Sequence, residues 1–309
     1  MAQSLAIAEL VEQVALLETQ IDDYESILGK SWKVSTASFI FFMQAGFALI
    51  ESGSCRSKNV LSILTKNQID VLVGTVSWWL IGWGLAFRGA PGLGSLEFSD
   101  QSRFHFQWSF CSVTATIVSG GVAERMPVAG YCMFVFIMAS VIYPVVVAWV
   151  WCPGGWLYDA GFVDFAGATV VHVTGGSGAL SGAIIAGPRE GRFSDAEVSQ
   201  FAPHSVPFIV LGTFILLFGW YGFNCGTVSI EKPGGSDVAA VVGVNTAIAA
   251  VAGGFGAAAI SMMVRRRMDV PMTCNGVLAG LVAITAGCAV LRPETSFVVG
   301  ATAGAMLRL

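Results

Sequence analysis

Long apolar segments separated by short polar stretches occupy most of the chain from residue 34 onward. A helix needs about 20 consecutive apolar residues to cross the hydrocarbon core of a bilayer. The pattern predicts eight such spans, at residues 34–52, 69–87, 104–122, 128–150, 165–186, 206–224, 238–264 and 273–290. We therefore expect an all-α, polytopic membrane helix bundle.

A ninth apolar segment begins at Phe297, and 13 residues remain from there to Leu309. Thirteen residues give about 20 Å of helix, whereas the hydrocarbon core is about 30 Å thick. This segment is too short to cross, so the pattern predicts eight full spans plus a partial ninth. We expect the chain to be truncated or a fragment at its C-terminus.

The first 30 residues have a different pattern. Between residues 4 and 28, apolar side chains recur at alternating spacings of three and four, with acidic residues between them; they are Ile7, Leu10, Val14, Leu17, Ile21, Tyr24 and Leu28. This spacing is typical of a coiled-coil seam about three heptads long. An amphipathic helix lying on the protein or the membrane explains the pattern equally well. We expect residues 1–30 to form an extracellular unit separate from a membrane domain at residues 34–309.

Composition supports the membrane assignment and excludes several other classes. Hydrophobic residues make up 55% of the chain and charged residues 12%, whereas soluble domains contain about 25% charged residues. The net charge of −4 is not concentrated in one basic or acidic binding patch, so nucleic acid is not an expected partner. The seven cysteines show neither CxxC spacing nor the His/Cys spacing of a metal site, and we expect neither a metal nor a cofactor.

Basic residues are divided unequally between the two sets of predicted loops. One set contains nine lysines and arginines, and the alternate set contains four. Cytoplasmic loops carry the excess of Lys and Arg, which predicts that the N-terminus is outside. The nine residues are Arg56, Lys58, Lys66, Arg125, Arg189, Arg192, Arg265, Arg266 and Arg267.

His172 lies inside the apolar segment 165–186, where an ionisable side chain is costly to insert. Such residues usually line a substrate path or a proton relay, although a neutral imidazole hydrogen-bonded between helices is a structural alternative. His105 and His204 lie near the ends of apolar segments. Ser177 is off the helical face of His172, so the pattern does not favour an enzyme.

Six runs of polar and aromatic residues have a recognisable sequence. They are MQAGFALIESGSCRSKN (43–59), FQWSFCSVTATIVSGGVAER (106–125), WVWCPGGW (149–156), DFAGATVVHVTGGSGAL (164–180), VLGTFILLFGWYGFNCGT (210–227) and CNGVLAGLVAITAGC (274–288). Together they resemble the ammonium transporter family (Amt, Mep and Rhesus proteins), most closely its plant and algal type. The similarity extends from Thr36 to Gly304 in the family's order and leaves out the N-terminal helix.

The resemblance implies a homotrimer in which each subunit has its own pore. Each pore passes through eleven helices, of which the first ten form two five-helix halves in inverted repeat, a common transporter plan. The second pore histidine of the family lies in the tenth helix, and we expect that helix to be missing from this chain. The second half of the repeat is therefore expected to be incomplete.

The resemblance also implies roles for individual residues. Trp151 and Phe110 match the aromatic walls of an outer vestibule, and Thr227 stands where the family usually has a serine hydroxyl facing the same cation. Phe110 and Phe223 match the two stacked rings that close the vestibule, and His172 matches the first pore histidine.

Asp164 matches a buried carboxylate near that vestibule. Its position at the start of a helix favours a capping role on sequence grounds.

These assignments imply transport of ammonium or ammonia, with methylammonium as a further candidate substrate. An ammonium ion held by aromatic faces and a hydroxyl would lose its proton, and neutral ammonia would pass along a hydrophobic pore lined by histidine. The alternative is a non-conducting regulatory or assembly subunit that lacks the second pore histidine. We expect a multi-pass protein of the plasma membrane.

Overall fold

A computed structural model describes residues 2–87, 101–195 and 198–307, and every regular element in these ranges is helical. This confirms the all-α class. The α-helices are α1 (Ala2–Ser54), α2 (Val60–Ser77), α3 (Trp83–Phe87), α4 (Gln101–Val122), α5 (Val128–Ile137), α6 (Tyr143–Val150), α7 (Trp156–Asp159), α8 (Thr174–Ala186), α9 (Val206–Cys225), α10 (Gly235–Arg265), α11 (Val270–Ile284) and α12 (Pro293–Met306). Single 3₁₀ turns occur at Ser57–Asn59 and Val198–Phe201.

Six helical segments of the described chain are long and apolar enough to cross a membrane. They are Ile7–Ser54, Ser57–Phe87, Val128–Val150, Ala168–Ala186, Ser199–Cys225 and Gly235–Arg265. The predicted number of eight full spans is therefore not confirmed, although a polytopic membrane protein is. Helix α4 occupies the predicted third span, but serines and threonines make it more polar than the other spans.

The predicted eighth span, 273–290, is helical only in its first part. Helix α11 ends at Ile284 after 15 residues. Beyond it, the carbonyl oxygens of Thr285 and Ala286 accept hydrogen bonds of 3.3 Å from the backbone N–H groups of Ala166 and Phe165. The apolar pattern continues there because the segment is buried, but its backbone bonds to another part of the chain.

The N-terminal unit and the first predicted span form one continuous helix. Helix α1 has 53 residues and no break near residue 30. Its N-terminal part, from Ile7 to Leu28, is exposed, whereas its C-terminal part packs along α9 and α4. The division into separate domains at residue 30 remains a prediction, since no helix boundary coincides with it.

Within the described residues, three helices contain a wider π-helical turn. These turns are at Trp78–Gly82, Met138–Ile142 and Ala168–Val173. The first two join α2 to α3 and α5 to α6, and the third leads into α8. Single π turns are frequent at functional sites, and the third one carries His172.

Small residues allow the central helices to pack closely. A side chain at Gly46 of α1 would lie 3.0 Å from the carbonyl oxygen of Gly212 in α9, and one at Gly212 would lie 2.7 Å from that of Gly46. Gly175 of α8 packs in the same way on α4, where a Cβ would be 2.9 Å from the carbonyl oxygen of Thr114. Such contacts are typical of membrane helices, and they hold the four helices α1, α4, α8 and α9 around the candidate site.

One basic residue assigned to a loop does not lie in one. Lys66 is within α2 and is only 2% exposed. The loops that we expect on the cytoplasmic side therefore contain eight lysines and arginines in place of nine, against four in the alternate loops.

Candidate functional site: a buried histidine beneath stacked aromatic rings

The ring of His172 is buried inside the helix bundle. It is 8% exposed, and its Nε2 atom has no hydrogen-bond partner among the described residues. The imidazole stacks on the indole of Trp220, with 5.0 Å between ring centroids and 10° between the planes. The structural alternative was an imidazole that is hydrogen-bonded between helices. The Nε2 atom of His172 makes no such hydrogen bond with the described residues.

A row of aromatic rings leads from Trp151 to this histidine. The centroids of Trp151 and Phe110 are 5.9 Å apart in an edge-to-face arrangement. Those of Phe110 and Phe223 are 4.2 Å apart, and those of Phe223 and His172 are 5.4 Å apart. Both phenylalanines are almost fully buried. The four residues that the resemblance assigned to the vestibule, its closure and the pore therefore lie in one continuous row.

The carboxylate of Asp164 fixes the start of the segment that carries His172. Its Oδ1 atom accepts hydrogen bonds from the backbone N–H groups of Gly167 and Ala168, and its Oδ2 atom accepts from those of Thr169 and Val170. The four distances lie between 2.7 and 3.1 Å. The first N–H groups of a helix have no partner within it, so Asp164 caps this one.

The same turn also positions Trp151. The backbone carbonyl oxygen of Asp164 accepts a hydrogen bond of 2.8 Å from the indole Nε1 of Trp151. Gly167 has φ of +101°, which strongly favours glycine, and a side chain there would lie 3.2 Å from the Trp151 ring. Asp164 and Gly167 thus orient Trp151, at one end of the aromatic row, and the segment that carries His172, at the other end.

Thr227 lies one helical turn beyond Phe223 and is partly buried. Its hydroxyl donates a hydrogen bond of 3.0 Å to the carbonyl oxygen of Phe223. A hydroxyl has one proton and two lone pairs. Because the proton is already used, the oxygen can only accept from a further ligand, as binding of an ammonium ion requires.

Sequence reasoning missed two residues at this site. Trp220 forms one wall of the histidine pocket, and its Nε1 donates a hydrogen bond of 3.0 Å to Thr285 Oγ1. Its position three residues before Phe223 on a helix could have indicated that both rings face the same way. Lys33 of α1 places its Nζ 2.6 Å from the carbonyl oxygen of Gly226 and 4.4 Å from the centroid of the Phe106 ring. Nothing in the local pattern indicated that contact.

A second polar centre, here called the Glu124 cluster, consists of Glu124, Arg56, Asn59 and Arg189. Glu124 Oε1 accepts from Arg56 Nε at 2.9 Å and from Asn59 Nδ2 at 2.5 Å, and Oε2 pairs with Arg189. Burial alone would raise the pKa of Glu124, but the hydrogen bonds from Asn59, Arg56 and Arg189 outweigh it and lower the pKa to about 2. The cluster ties the end of α4 to the segments that follow α1 and α8.

Glu51, to which the sequence analysis assigns no role, is buried next to α2 and α4. Its Oε2 atom accepts hydrogen bonds from Asn67 Nδ2 at 3.1 Å and Ser119 Oγ at 2.6 Å. These contacts join three helices.

Taken together, the fold and the site define a polytopic helical membrane protein with a buried histidine next to stacked aromatic rings. A model of the Ammonium Transporter Family matches residues 31–309, and the chain belongs to that family. The matched region begins just beyond the heptad segment.

Individual relatives agree with this assignment. The chain is 39% identical to "Ammonium transporter Amt2" of Archaeoglobus fulgidus, in an alignment that covers 88% of this chain and 62% of the relative. It is 36% identical to "Ammonium transporter 1 member 3" of Solanum lycopersicum, covering 86% of this chain and 64% of the relative. The chain therefore spans less than two thirds of the length of either relative.

Solved structures have the same fold. The structure of "Sensor Amt Protein" superposes with a TM-score of 0.84 at 34% identity, covering 92% of this chain and 74% of the other. Mep2 of Candida albicans superposes with a TM-score of 0.80 at 29% identity, covering 89% of this chain and 64% of the other.

Proposed function

We propose that the protein transports ammonium or ammonia across a membrane. The observation that carries the proposal is the aromatic row from Trp151 through Phe110 and Phe223 to His172. Burying the Nε2 atom of His172 without a described hydrogen-bond partner costs folding free energy. A passing ligand that forms a hydrogen bond with Nε2 would explain why the protein keeps a histidine at this position.

In the proposed mechanism, ammonium is first held outside the buried rings. The faces of Trp151 and Phe110 attract a small cation, each contact contributing up to about 2 kcal/mol when desolvated. The hydroxyl of Thr227 accepts a further hydrogen bond. The capped turn at Asp164 supports the site by orienting the Trp151 ring and the His172 segment, and we assign Asp164 that positioning role.

The ammonium ion then transfers its proton to solvent water before the resulting ammonia passes the Phe110 and Phe223 rings. Moving a bare charge into the low-dielectric interior costs far more than the cation-π contacts supply. Neutral ammonia avoids that cost and can exchange hydrogen bonds with His172. Potassium has no proton to lose, so the same barrier excludes it.

We further propose that the protein forms a homotrimer in the lipid bilayer of the plasma membrane, with the N-terminus outside. The basic residues of the loops support this orientation. The family resemblance supports the trimer.

Uptake of radiolabelled methylammonium by the full chain in liposomes tests the proposal. Flux above that of empty vesicles is expected, and His172→Ala should lower it at least about tenfold, a loss of about 1.4 kcal/mol of transition-state stabilisation. His204→Ala is the matched control, because His204 is exposed and lies outside the aromatic row; it should transport normally. Absence of flux with a correctly folded chain would favour the non-conducting regulatory or assembly subunit.

A further inference from the structure

The N-terminal part of α1 presents an uncovered apolar stripe. Its seven heptad residues are between 47% and 73% exposed, and they are Ile7, Leu10, Val14, Leu17, Ile21, Tyr24 and Leu28. The stripe extends over 22 residues, about 33 Å of helix. Isolated helices depend on packing of such a face for most of their stability, so a partner is needed.

The stripe continues into the membrane part of α1 in the same register. The next positions of the seam are exposed as well, and they are Ser31, Ser35, Ser38, Phe42 and Ala45. The bundle packs against other positions of α1, which include Thr36, Ala37, Ile40, Met43 and Gln44. A heptad seam drifts by about 20° per repeat on a straight helix, which adds up to about 110° over these five repeats, yet every seam position through Ala45 stays exposed. The free side of α1 is therefore one surface from Ile7 to Ala45.

The charges beside the stripe favour a parallel neighbour. Positions flanking the seam carry Gln13 and Gln20 on one side and Glu18 and Glu25 on the other. In a parallel pair, each glutamine faces a glutamate of the neighbouring helix. In an antiparallel pair, glutamate would face glutamate, and like charges repel.

The same charges disfavour a membrane surface as the partner. Between residues 7 and 28 the helix carries six acidic residues, namely Glu9, Glu12, Glu18, Asp22, Asp23 and Glu25, and no lysine or arginine. Helices that lie on bilayers are typically rich in Lys and Arg on their polar face. An acidic face is repelled by anionic lipid, whereas a second copy of the chain can bury the apolar stripe and leave the acidic residues in water.

We infer that residues 7–28 of α1 form a parallel, in-register coiled coil with the same segment of other copies of this chain. Ile, Val and Ile stand at alternate seam positions 7, 14 and 21, with Leu at 10 and 17, a core composition typical of parallel coiled coils. The segment lies outside the residues that match the family model. In this proposal, residues 7–28 are an oligomerisation segment that precedes the membrane domain.

Disulfide cross-linking of the full chain in membranes tests this inference with two neighbouring leucines. Leu17 is on the seam and 56% exposed, whereas Leu16 is off the seam and 60% exposed. Mild oxidation of Leu17→Cys should give several-fold more reducible dimer than Leu16→Cys, whose yield should match that of the unsubstituted chain. Leu10→Cys should cross-link as well, because a parallel register brings this residue next to its own copy.

Three outcomes would overturn the inference. Equal dimer yields for the Leu16 and Leu17 variants would mean that contact is non-specific. No dimer with either would mean that the segment does not meet its own copy, as expected if it lies on lipid. Dimer with Leu17→Cys but not with Leu10→Cys would indicate an antiparallel pair, because Leu17 is near the middle of the segment.

Discussion

His172 and Glu124 are both ionisable residues without exposed side chains, yet their surroundings differ. His172 is enclosed by rings, and its Nε2 has no partner in the described part of the chain. Both carboxylate oxygens of Glu124 have partners. Helix α4 joins the two regions: it runs about 18 Å from Phe110 to its last residue, Val122, and Glu124 lies in the turn that follows. The partners of Glu124 stabilise the fold, whereas the unpartnered Nε2 of His172 fits the contact with a substrate that we propose.

The largest expected effect concerns the support of the histidine site. Asp164→Ala removes the acceptor of four backbone N–H groups, and we expect a loss of about 3 kcal/mol in the free energy of unfolding. Asp164→Asn keeps one acceptor oxygen and should lose less. SDS titration of the full chain in mixed micelles measures both. A larger loss for Asn than for Ala would contradict the capping role.

Glu124→Gln should have the next largest effect, about 2 kcal/mol of destabilisation. It breaks two partly buried ion pairs and leaves Arg56 and Arg189 without their counter-charge. Glu124 also has φ of +62°, a left-handed conformation that non-glycine residues adopt rarely, so its contacts must hold the turn. Arg265 and Asp269 form an exposed pair, and Asp269→Asn is the comparison that should cost much less. Equal losses in the same titration would show that burial of the cluster does not matter.

The contribution of Glu124 should depend on pH. Its pKa is about 2 in the folded protein against an ordinary value of 4.5, so the folded state favours the charged form. The stabilisation is fully present above about pH 4.5 and is lost as the pH falls from there toward about 2. The difference in unfolding free energy between the unsubstituted chain and Glu124→Gln should therefore shrink in that window. A constant difference would mean that the charge does not contribute.

Sequence reasoning named most of the residues that the structure brings together in the aromatic row, but not the residues that support them. His172, Trp151 and Asp164 are unusual residue types within apolar segments, and the family resemblance assigned Phe110 and Phe223. The spacing of Trp220 and Phe223 indicates only that both rings share a helix face. The contacts of Trp220 with Thr285, and of Glu51 with Asn67 and Ser119, could not be assigned because they join helices far apart in sequence.

The fold also divides into features that local sequence predicts and features that it does not. Periodicity predicted the apolar helices, because the pattern of each helix is contained in its own residues. It did not predict that α1 continues without a break past residue 30, although no proline interrupts residues 2–54. It could not predict that residues 285–286 bond to residues 165–166 instead of extending α11, because that depends on a tertiary contact.

Replacing the histidine should change stability less than either carboxylate substitution. His172→Phe removes a buried nitrogen without a described partner and keeps a flat ring against Trp220. We expect a change in unfolding free energy within about 1 kcal/mol, because an apolar group replaces a polar one that the fold leaves unbonded. Uptake should nevertheless be lost. A destabilisation as large as that of Glu124→Gln would mean that His172 is a structural residue, and the contrast between the two regions would fail.

The smallest expected effect is electrostatic and concerns Lys33. Its Nζ lies 4.4 Å from the Phe106 ring, and the centroids of Phe106 and Phe110 are 4.9 Å apart. Lys33 Nζ is therefore at most about 9 Å from the centroid of the Phe110 ring. At such a separation, a positive charge opposes a bound cation by about 2 kcal/mol at an effective dielectric constant of about 20, and by less where water screens it. Lys33→Met should therefore lower the apparent KM for methylammonium several-fold, measured as concentration-dependent uptake in liposomes. Lys30→Met removes the same charge from an exposed position one turn earlier and should change KM less. A higher KM in Lys33→Met than in Lys30→Met would show that Lys33 supports the vestibule through its hydrogen bond to Gly226 more than it repels the substrate.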